Sequence, residues 1–321
     1  MSAGVYAKLA GVALVGAGLL QVTPTMAAES AKGVYLLGFR SQYAGVLPGP
    51  GAFYQNDVYI YGGSAGATRE IEIGGIVAAD IDATVILEIP TFSYLTPAFG
   101  GLFGISYTQP TGWQEISASI TGPQGGTIGV TQDAYQFGDP FVSAFWGSNE
   151  GNWNWNIATG VNIPIGQWEE GSLVNLGFNR WAVDVTGSAT YLDTTTGLEA
   201  SAALGFTFNG DNLDIDYQTG TEMHIEWSLT QITPSGFSFG VAGYHYQQLT
   251  GDSGSDAKLG AFKGQVTAIG PALGLTLPMA DRALTAKFRG YYEFNVENRL
   301  EGVSAFATLA IPLQPAMAPS Q

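Results

Sequence analysis

Hydrophobic residues recur at every second position through most of the chain after residue 56, with polar residues between them. In 153–165, for example, Trp153, Trp155 and Ile157 share one parity, whereas asparagine and glycine fill much of the other. A period of two residues is typical of a β-strand whose two faces meet different surroundings. This alternation predicts strands near residues 57–65, 76–91, 101–108 running on to 113–121, 127–133 joined to 139–147, 153–166, 179–193, 198–209, 219–233, 237–250, 260–277, 283–297 and 302–313.

Counting each joined pair as one strand gives about twelve, and many of these strands are longer than the usual ~5–6 residues of soluble sheets. The turn clusters between them, such as 210–212 and 251–254, are rich in glycine, asparagine and aspartate. No stretch after the N-terminus shows a helical period. The pattern predicts an all-β chain that forms a transmembrane antiparallel β-barrel of about twelve strands, because a spanning sheet must close to pair its edges.

Composition supports a membrane location over a soluble one. Only 12% of residues are charged, about half of the roughly 25% in soluble domains. A large periplasmic β-sandwich or a lipocalin-like barrel would show the same alternation with its apolar face inward, so strand length and low charge decide the preference. The net charge of −16 argues against a nucleic-acid partner, and the absence of cysteine excludes disulfides and thiolate metal sites.

The N-terminus has the features of an export signal. Lys8 precedes an uncharged apolar run, 9–20, which is followed by small residues up to Ala28. That order predicts a cleaved signal peptide over 1–28 and export from the cytoplasm. Together with the predicted transmembrane barrel, export predicts a location in the outer membrane of a Gram-negative bacterium. We divide the remaining chain into a leader or plug at 29–55, the barrel at 56–313 and a tail at 314–321.

The polar parity of the predicted strands carries most of the chain's charge. If apolar residues face lipid, the lumen collects Asp80, Asp82, Glu88, Asp184, Glu199, Glu222, His224, Glu226 and Glu293, against Lys287 and Arg289. One interpretation is a cation-biased constriction, since rings of charge set selectivity in pores. The other is a set of internal struts in which the carboxylates pair with Lys287 and Arg289. The sequence leaves both open.

Aromatic and amide residues cluster near the end of one strand. This cluster predicts a slot for a ring-bearing ligand, lined by Tyr244, Tyr246, Gln247 and Gln248. The alternative is an aromatic girdle at the membrane interface. On this parity His245 points outward, which we expect to need a bulge.

The 29–55 segment offers Tyr43, Pro48, Phe53 and Tyr54 as residues that could hold a plug in the lumen. An unstructured leader before the first strand is the alternative.

Catalytic and metal chemistry find little support. His224 and Glu226 share one strand face, but only two histidines are present. Ser228 is roughly 13 Å from His224 at strand rise, so the two form no dyad. We therefore predict no enzyme activity, no metal and no cofactor.

Several motifs in order along residues 38–277 resemble one known family. They are Gly45 to Asp57 (GVLPGPGAFYQND), 138–140 (GDP), 164–166 (PIG), 175–181 (NLGFNRW), 191–192 (YL), 208–209 (FN), 217–222 (YQTGTE), 243–248 (GYHYQQ), 252–254 (DSG) and 269–271 (IGP). The family is the outer-membrane one named after the meta-pathway of phenol degradation. The resemblance implies a barrel that helps hydrophobic or aromatic compounds to enter the cell, and it is distantly similar to the fatty-acid and toluene channels, which carry an N-terminal plug.

The expected function is thus passive uptake of hydrophobic, chiefly aromatic, small molecules, with outer-membrane lipid as the other partner. A structural or adhesive barrel with a closed lumen is the main alternative, and an outer-membrane hydrolase is a weaker one. Oligomeric state, the compound itself and its route of release, lateral or luminal, are not determined by the sequence.

Overall fold

The computed structural model of the chain describes residues 32–121, 126–279 and 282–313. The predicted signal peptide, 1–28, and the predicted tail, 314–321, lie outside the described residues. Within these ranges no helix is long and apolar enough to cross a membrane. The strands are β1 (Gly51–Ala65), β2 (Ile71–Ile73), β3 (Ile76–Ala98), β4 (Gly101–Thr108), β5 (Thr111–Thr121), β6 (Thr127–Phe137), β7 (Phe141–Glu150), β8 (Trp153–Asn162), β9 (Arg180–Asp193), β10 (Leu198–Asn212), β11 (Glu222–Ile232), β12 (Phe237–Gln248), β13 (Gln265–Met279), β14 (Arg282–Glu297) and β15 (Glu301–Pro312).

The strands form a closed antiparallel barrel. Neighbours in sequence pair from β7 to β15, and β1 closes the ring by pairing with both β15 and β3. β4 with β5 forms one long interrupted strand, and β6 with β7 forms another. Counting each as one, and leaving out the three-residue β2, which pairs with β3 off the ring, gives a barrel of 12 strands. This confirms the prediction.

The two ends of the barrel differ in their connections. Loops 66–75, 163–179, 213–221 and 249–264 lie at one end, whereas turns 99–100, 151–152, 194–197 and 233–236 lie at the other. Bacterial barrels have long extracellular loops and short periplasmic turns. We therefore assign the first end to the cell exterior.

Most of the wall has the predicted orientation, with apolar residues outward. In β8, Trp153 and Ile157 are 60% and 51% exposed, whereas Asn156 is buried. β9, β10 and β11 alternate in the same way, and their buried faces carry serine, threonine, aspartate and glutamate. An apolar outer band and a polar interior are what lipid outside and a lumen inside require.

Strand β3 contradicts the predicted parity. Ile81, Ala83 and Leu87 face inward and are buried, whereas Asp82 and Glu88 are exposed on the outside. Asp80, also assigned to the lumen from sequence, is exposed and has a positive φ of 50° where the β3–β5 register shifts. The reason is that the inner face of β3 packs against apolar residues inside the barrel, among them Leu36 and Leu173.

The first strand begins earlier than the sequence indicated. β1 starts at Gly51, and Phe53 pairs with Ser93 of β3 and Pro312 of β15. Phe53 and Tyr54, assigned to a leader or plug, therefore belong to the wall. Backbone pairing on both sides decides this, and the ring of Tyr54 packs against Phe92, with ring centroids 5.0 Å apart.

A charge placed on the lipid-facing side should destabilise the barrel. Leu204 lies near the middle of β10 and is 45% exposed on the outer face. We expect Leu204→Arg to lower the free energy of unfolding by ~2–4 kcal/mol, because an arginine near the bilayer midplane loses its hydration. Urea unfolding in phosphatidylcholine vesicles, followed by tryptophan fluorescence, measures this change.

The matched control is Thr195→Arg in the turn before β10. It adds the same charge at the bilayer edge and should change the free energy of unfolding little. An equal decrease in the free energy of unfolding in the two variants would contradict the assignment of the outer face to lipid.

Candidate ligand cavity and the segment inside the barrel

In the segment 32–50, residues 32–47 lie inside the barrel and 48–50 are exposed at its end. Lumen side chains accept hydrogen bonds from the backbone amides of this segment. The Gly38 amide donates to Glu226 at 2.6 Å and the Tyr43 amide donates to Glu199 at 3.0 Å. The Gly45 amide donates to the hydroxyl of Thr190 at 2.8 Å. A segment without sheet or helix partners must find others for its backbone groups, and the lumen supplies them.

The basic residues of the lumen bind the carbonyl groups of the same segment. Arg289 donates to the carbonyl oxygens of Gly38 and Phe39 at 3.2 and 2.7 Å. Lys287 donates to the Gln42 carbonyl oxygen at 3.2 Å. Acidic lumen residues therefore bind its amides, and basic ones bind its carbonyls.

Glycine is required at the centre of this contact. Gly38 has a φ of +85°, a conformation that other residues adopt rarely. A Cβ atom there would lie 2.6 Å from the ring of Tyr291 and 3.1 Å from that of Phe306. The segment thus passes against an aromatic cluster at a distance that only glycine permits.

The lumen charges fit neither interpretation proposed from the sequence. Arg289 forms an ion pair at 3.1 Å with Asp57 of β1, and not with the predicted acids. Asp184 contacts His224 at 2.9 Å, and the His224 ring stacks on Tyr35 with centroids 3.5 Å apart. Glu199 accepts bonds from Ser201, Ser228 and Thr230. These groups hold each other and residues 32–50, so they line no open constriction.

The predicted aromatic slot is a packed cluster. Tyr244, Tyr246 and Gln248 are 1–3% exposed and face inward. The Tyr244 hydroxyl donates to Glu293 at 2.7 Å, and the Tyr246 hydroxyl donates to Glu222 at 2.6 Å. Both tyrosine rings pack with Leu37. Of the three residues, only Tyr244 lines the internal cavity that is described below.

His245 faces outward without a bulge. The β11–β12 register is regular through this residue, and its Nδ1 atom lies 2.9 Å from the hydroxyl of Thr267 on β13. The expected bulge is wrong, because a neighbouring strand offers the imidazole a partner on the same outer face.

The two remaining plug candidates differ in their surroundings. Tyr43 is partly buried, and the Lys287 ammonium lies 5.5 Å from the centre of its ring. Pro48 is exposed near the periplasmic end, next to Leu47, whose amide and carbonyl both bond to Asn149.

A cavity of about 310 Å³ lies between residues 32–40 and the inner faces of β3, β4, β5 and β7. Its apolar lining includes Leu36, Phe39, Ile81, Ala83, Val85, Leu87, Ile89, Ile116, Leu173 and Leu176. Aromatic residues, including Tyr59, Phe141 and Phe178, add to it, and Thr91, Ser106, Thr108 and Ser143 add hydroxyl groups. An apolar chamber with a few polar groups is typical of a small-molecule site.

Of the predicted site residues, only Asp184, Tyr244 and Glu293 line this cavity. The apolar wall on β3 was missed because apolar residues were assigned to lipid. One signal was available. The apolar parity of β3 changes between Ile89 and Phe92, so the strand is apolar on both faces in different halves. Such a change of parity indicates that one half of the strand turns its apolar side chains inward and the other half turns them outward.

The cavity reaches the wall where both long strands are interrupted, at Pro110 and Asp139. Proline cannot donate to a ladder, which explains a break at such a position. Asp139 accepts bonds from the amides of Gly166 and Phe178 at 2.7 and 2.9 Å. It thereby fixes loop 163–179 beside the cavity.

The extracellular loops bond to one another over the barrel. Asp252 accepts hydrogen bonds from the Tyr217 hydroxyl and the Gly220 amide, which joins loop 249–264 to loop 213–221. Burial raises the pKa of Asp252 above its ordinary value. Lys258 bonds to Glu72 and Gly75, which joins the same loop to 66–75. The outer mouth is therefore covered by connected loops.

The sequence model of one family matches residues 66–309. Its description is the MetA-pathway of phenol degradation. The chain belongs to this family. The match covers the barrel from the first loop to the last strand. It includes the wall residues named for the cavity except Tyr59 of β1.

Solved structures with the same fold include the COG4313 outer membrane channel from Pseudomonas putida F1. It is 16% identical, with a TM-score of 0.64, and the alignment covers 83% of this chain and 97% of that one. A Pseudomonas aeruginosa FadL homologue aligns at 9% identity and a TM-score of 0.38, over 81% of this chain and 88% of that one. No curated protein matches the chain by sequence.

Arg289 should be the residue that fixes the internal segment. We expect Arg289→Met to release it, because the change removes the donors to Gly38 and Phe39 and leaves Asp57 buried without its ion pair. Limited trypsin digestion after Arg40, read by mass spectrometry, should be about ten-fold faster or more in the variant.

Lys263→Met, in an exposed loop, is the control for loss of one positive charge. Heat-dependent migration on gels checks that both variants form barrels. Protection of Arg40 equal to that of the unaltered chain would show that Arg289 does not hold the segment.

Proposed function

We propose that the protein is an outer-membrane channel for passive uptake of hydrophobic small molecules, with aromatic compounds among them. The observation that carries this proposal is the apolar cavity of about 310 Å³ inside a membrane barrel. A barrel that served only as a scaffold would have no need of an apolar chamber behind its wall.

The dimensions and lining of the cavity support small cargo. Its volume is near the lower end of the ~300–1,000 Å³ range of ligand pockets, which suits one or two rings. Leucine and isoleucine offer dispersion contacts, and the rings of Tyr59, Phe141 and Phe178 offer edge and face contacts to an aromatic solute. The family's description, which refers to phenol degradation, supports aromatic cargo.

The structural relative also supports transport. The Pseudomonas putida protein is described as an outer membrane channel, and nearly its whole length aligns with this chain. Passive passage needs no catalytic group, so the function uses no cofactor.

A second candidate is a barrel with a closed lumen and a structural or adhesive role. The observation in its favour is that residues 32–50 fill the interior with matched hydrogen bonds to the wall. Under the channel proposal this segment acts as a plug that has to move before a solute can pass through the lumen. Conductance and uptake therefore separate the two candidates.

Filling the cavity should block uptake. Leu87 lines it, whereas the next residue, Ile86, faces outward and is 41% exposed. We expect Leu87→Trp to abolish most of the uptake of labelled naphthalene at low external concentration, because the larger indole projects into the cavity and narrows the space left for a ring. Cells that lack the chain set the baseline, and Ile86→Trp is the matched control with the same side chain on the lipid face. Equal uptake by both variants, or equal uptake with and without the chain, would reject the channel proposal.

Removing the internal segment should open the lumen. Deletion of 33–48 leaves β1 intact, since that strand begins at Gly51. We expect a higher conductance in planar bilayers than for the full chain, because the bonds that fill the lumen are lost. Conductance unchanged by the deletion would mean that this segment is no plug and would favour the closed scaffold.

A further inference from the structure

The charged groups around the cavity are unequally satisfied. The carboxylates that line it, Asp139, Asp184 and Glu293, each have several hydrogen-bond donors from the protein. Asp184 accepts from Thr186 and Thr207 and contacts His224. Glu293 accepts from Tyr244, Tyr61 and the Gly302 amide. Three donors on a carboxylate leave little capacity for a cationic ligand.

The guanidinium of Arg40, in contrast to these carboxylates, has few hydrogen-bond partners in the protein. It lines the cavity and is half-buried, and it makes one weak side-chain contact, of 3.5 Å, to the Asn156 side-chain oxygen. Within the described part of the chain it forms no ion pair with a carboxylate. The neighbouring carboxylate of Glu226 accepts hydrogen bonds from the backbone amides of Gly38 and Arg40 and attracts the Arg40 guanidinium without an ion pair. Glu226 is not part of the cavity lining.

A second guanidinium, Arg299, lines the same cavity. It stacks on the ring of Tyr246 at 4.4 Å, and its Nη1 atom is buried with no hydrogen-bond partner. A guanidinium has five N–H donors, and leaving a partly desolvated one unused is costly. The cavity therefore offers apolar walls, acids that already accept hydrogen bonds, and the guanidiniums of Arg40 and Arg299 with unused donors.

We propose that the preferred ligand of this cavity is an aromatic carboxylate, whose ring meets the apolar wall and whose carboxylate binds the Arg40 guanidinium. The proposal rests on the proposed function and specifies its ligand. The planar guanidinium suits a carboxylate because two parallel N–H···O bonds can form at once. Such a ligand would satisfy the donors that the protein leaves open.

The test compares two ligands that differ only in charge. Naphthalene and 2-naphthoate are titrated into the purified full chain in detergent micelles, and dissociation constants are read from tryptophan fluorescence. We expect Arg40→Met to weaken 2-naphthoate binding about ten-fold or more, as for loss of a hydrogen bond to a charged group. Naphthalene should bind the variant as it binds the unaltered chain.

Two further variants sharpen the comparison. Arg40→Lys keeps the positive charge but removes the planar pair of N–H donors. It should bind 2-naphthoate more tightly than Arg40→Met and less tightly than the unaltered chain. Lys263→Met removes a positive charge from an exposed loop residue outside the cavity lining, and it should leave both affinities unchanged.

The outcomes separate this inference from the function beneath it. If neither ligand binds the unaltered chain, the proposed function itself fails. If both bind and Arg40→Met leaves naphthoate unaffected, the carboxylate inference fails while the channel proposal stands. If the variant weakens both ligands equally, Arg40 shapes the segment and does not bind the carboxylate, which also overturns the inference.

Discussion

The structure depends on one constraint, that a backbone amide or carbonyl in hydrocarbon must have a partner within the protein. The constraint forces the wall to close, and β1 closes it by pairing with both β3 and β15. It also explains why one of the long strands is interrupted at Pro110, which has no amide to donate. Because the outer face contacts lipid, its residues are mostly apolar, and the polar residues of β9 to β11 face the interior.

The same requirement shapes the lumen. Residues 32–50 have no strand partner, so their backbone groups bond to side chains of the wall, with acids on amides and bases on carbonyls. The ionic groups in the barrel therefore act mainly on this segment. Their pairing is local and buried, which makes each interaction sensitive to the loss of its partner. Charge in the lumen serves internal structure here more than it attracts a passing ion.

The cavity exists because the barrel is asymmetric. On the β9–β12 side the inner face is polar and bonds to residues 32–50, whereas on the β3–β5 side it is apolar and leaves space. A small apolar solute can rest on the second side without competing for hydrogen bonds on the first. The guanidinium of Arg40 lies on the segment between the two sides, so it can serve a ligand that is apolar at one end and charged at the other.

The sequence by itself determined the antiparallel membrane barrel and its twelve strands, because a period of two and the lack of charge are local properties of each strand. It also predicted the inward face of β9 to β11, where one face is polar throughout. Only the tertiary structure decided the orientation of β3, the wall position of Phe53 and Tyr54, and the role of Arg289. An inward apolar face and an outward one have the same alternation, and what differs is which distant segment lies behind the strand. Leu36 and Leu173 make the inside of β3 apolar, and neither is near it in sequence.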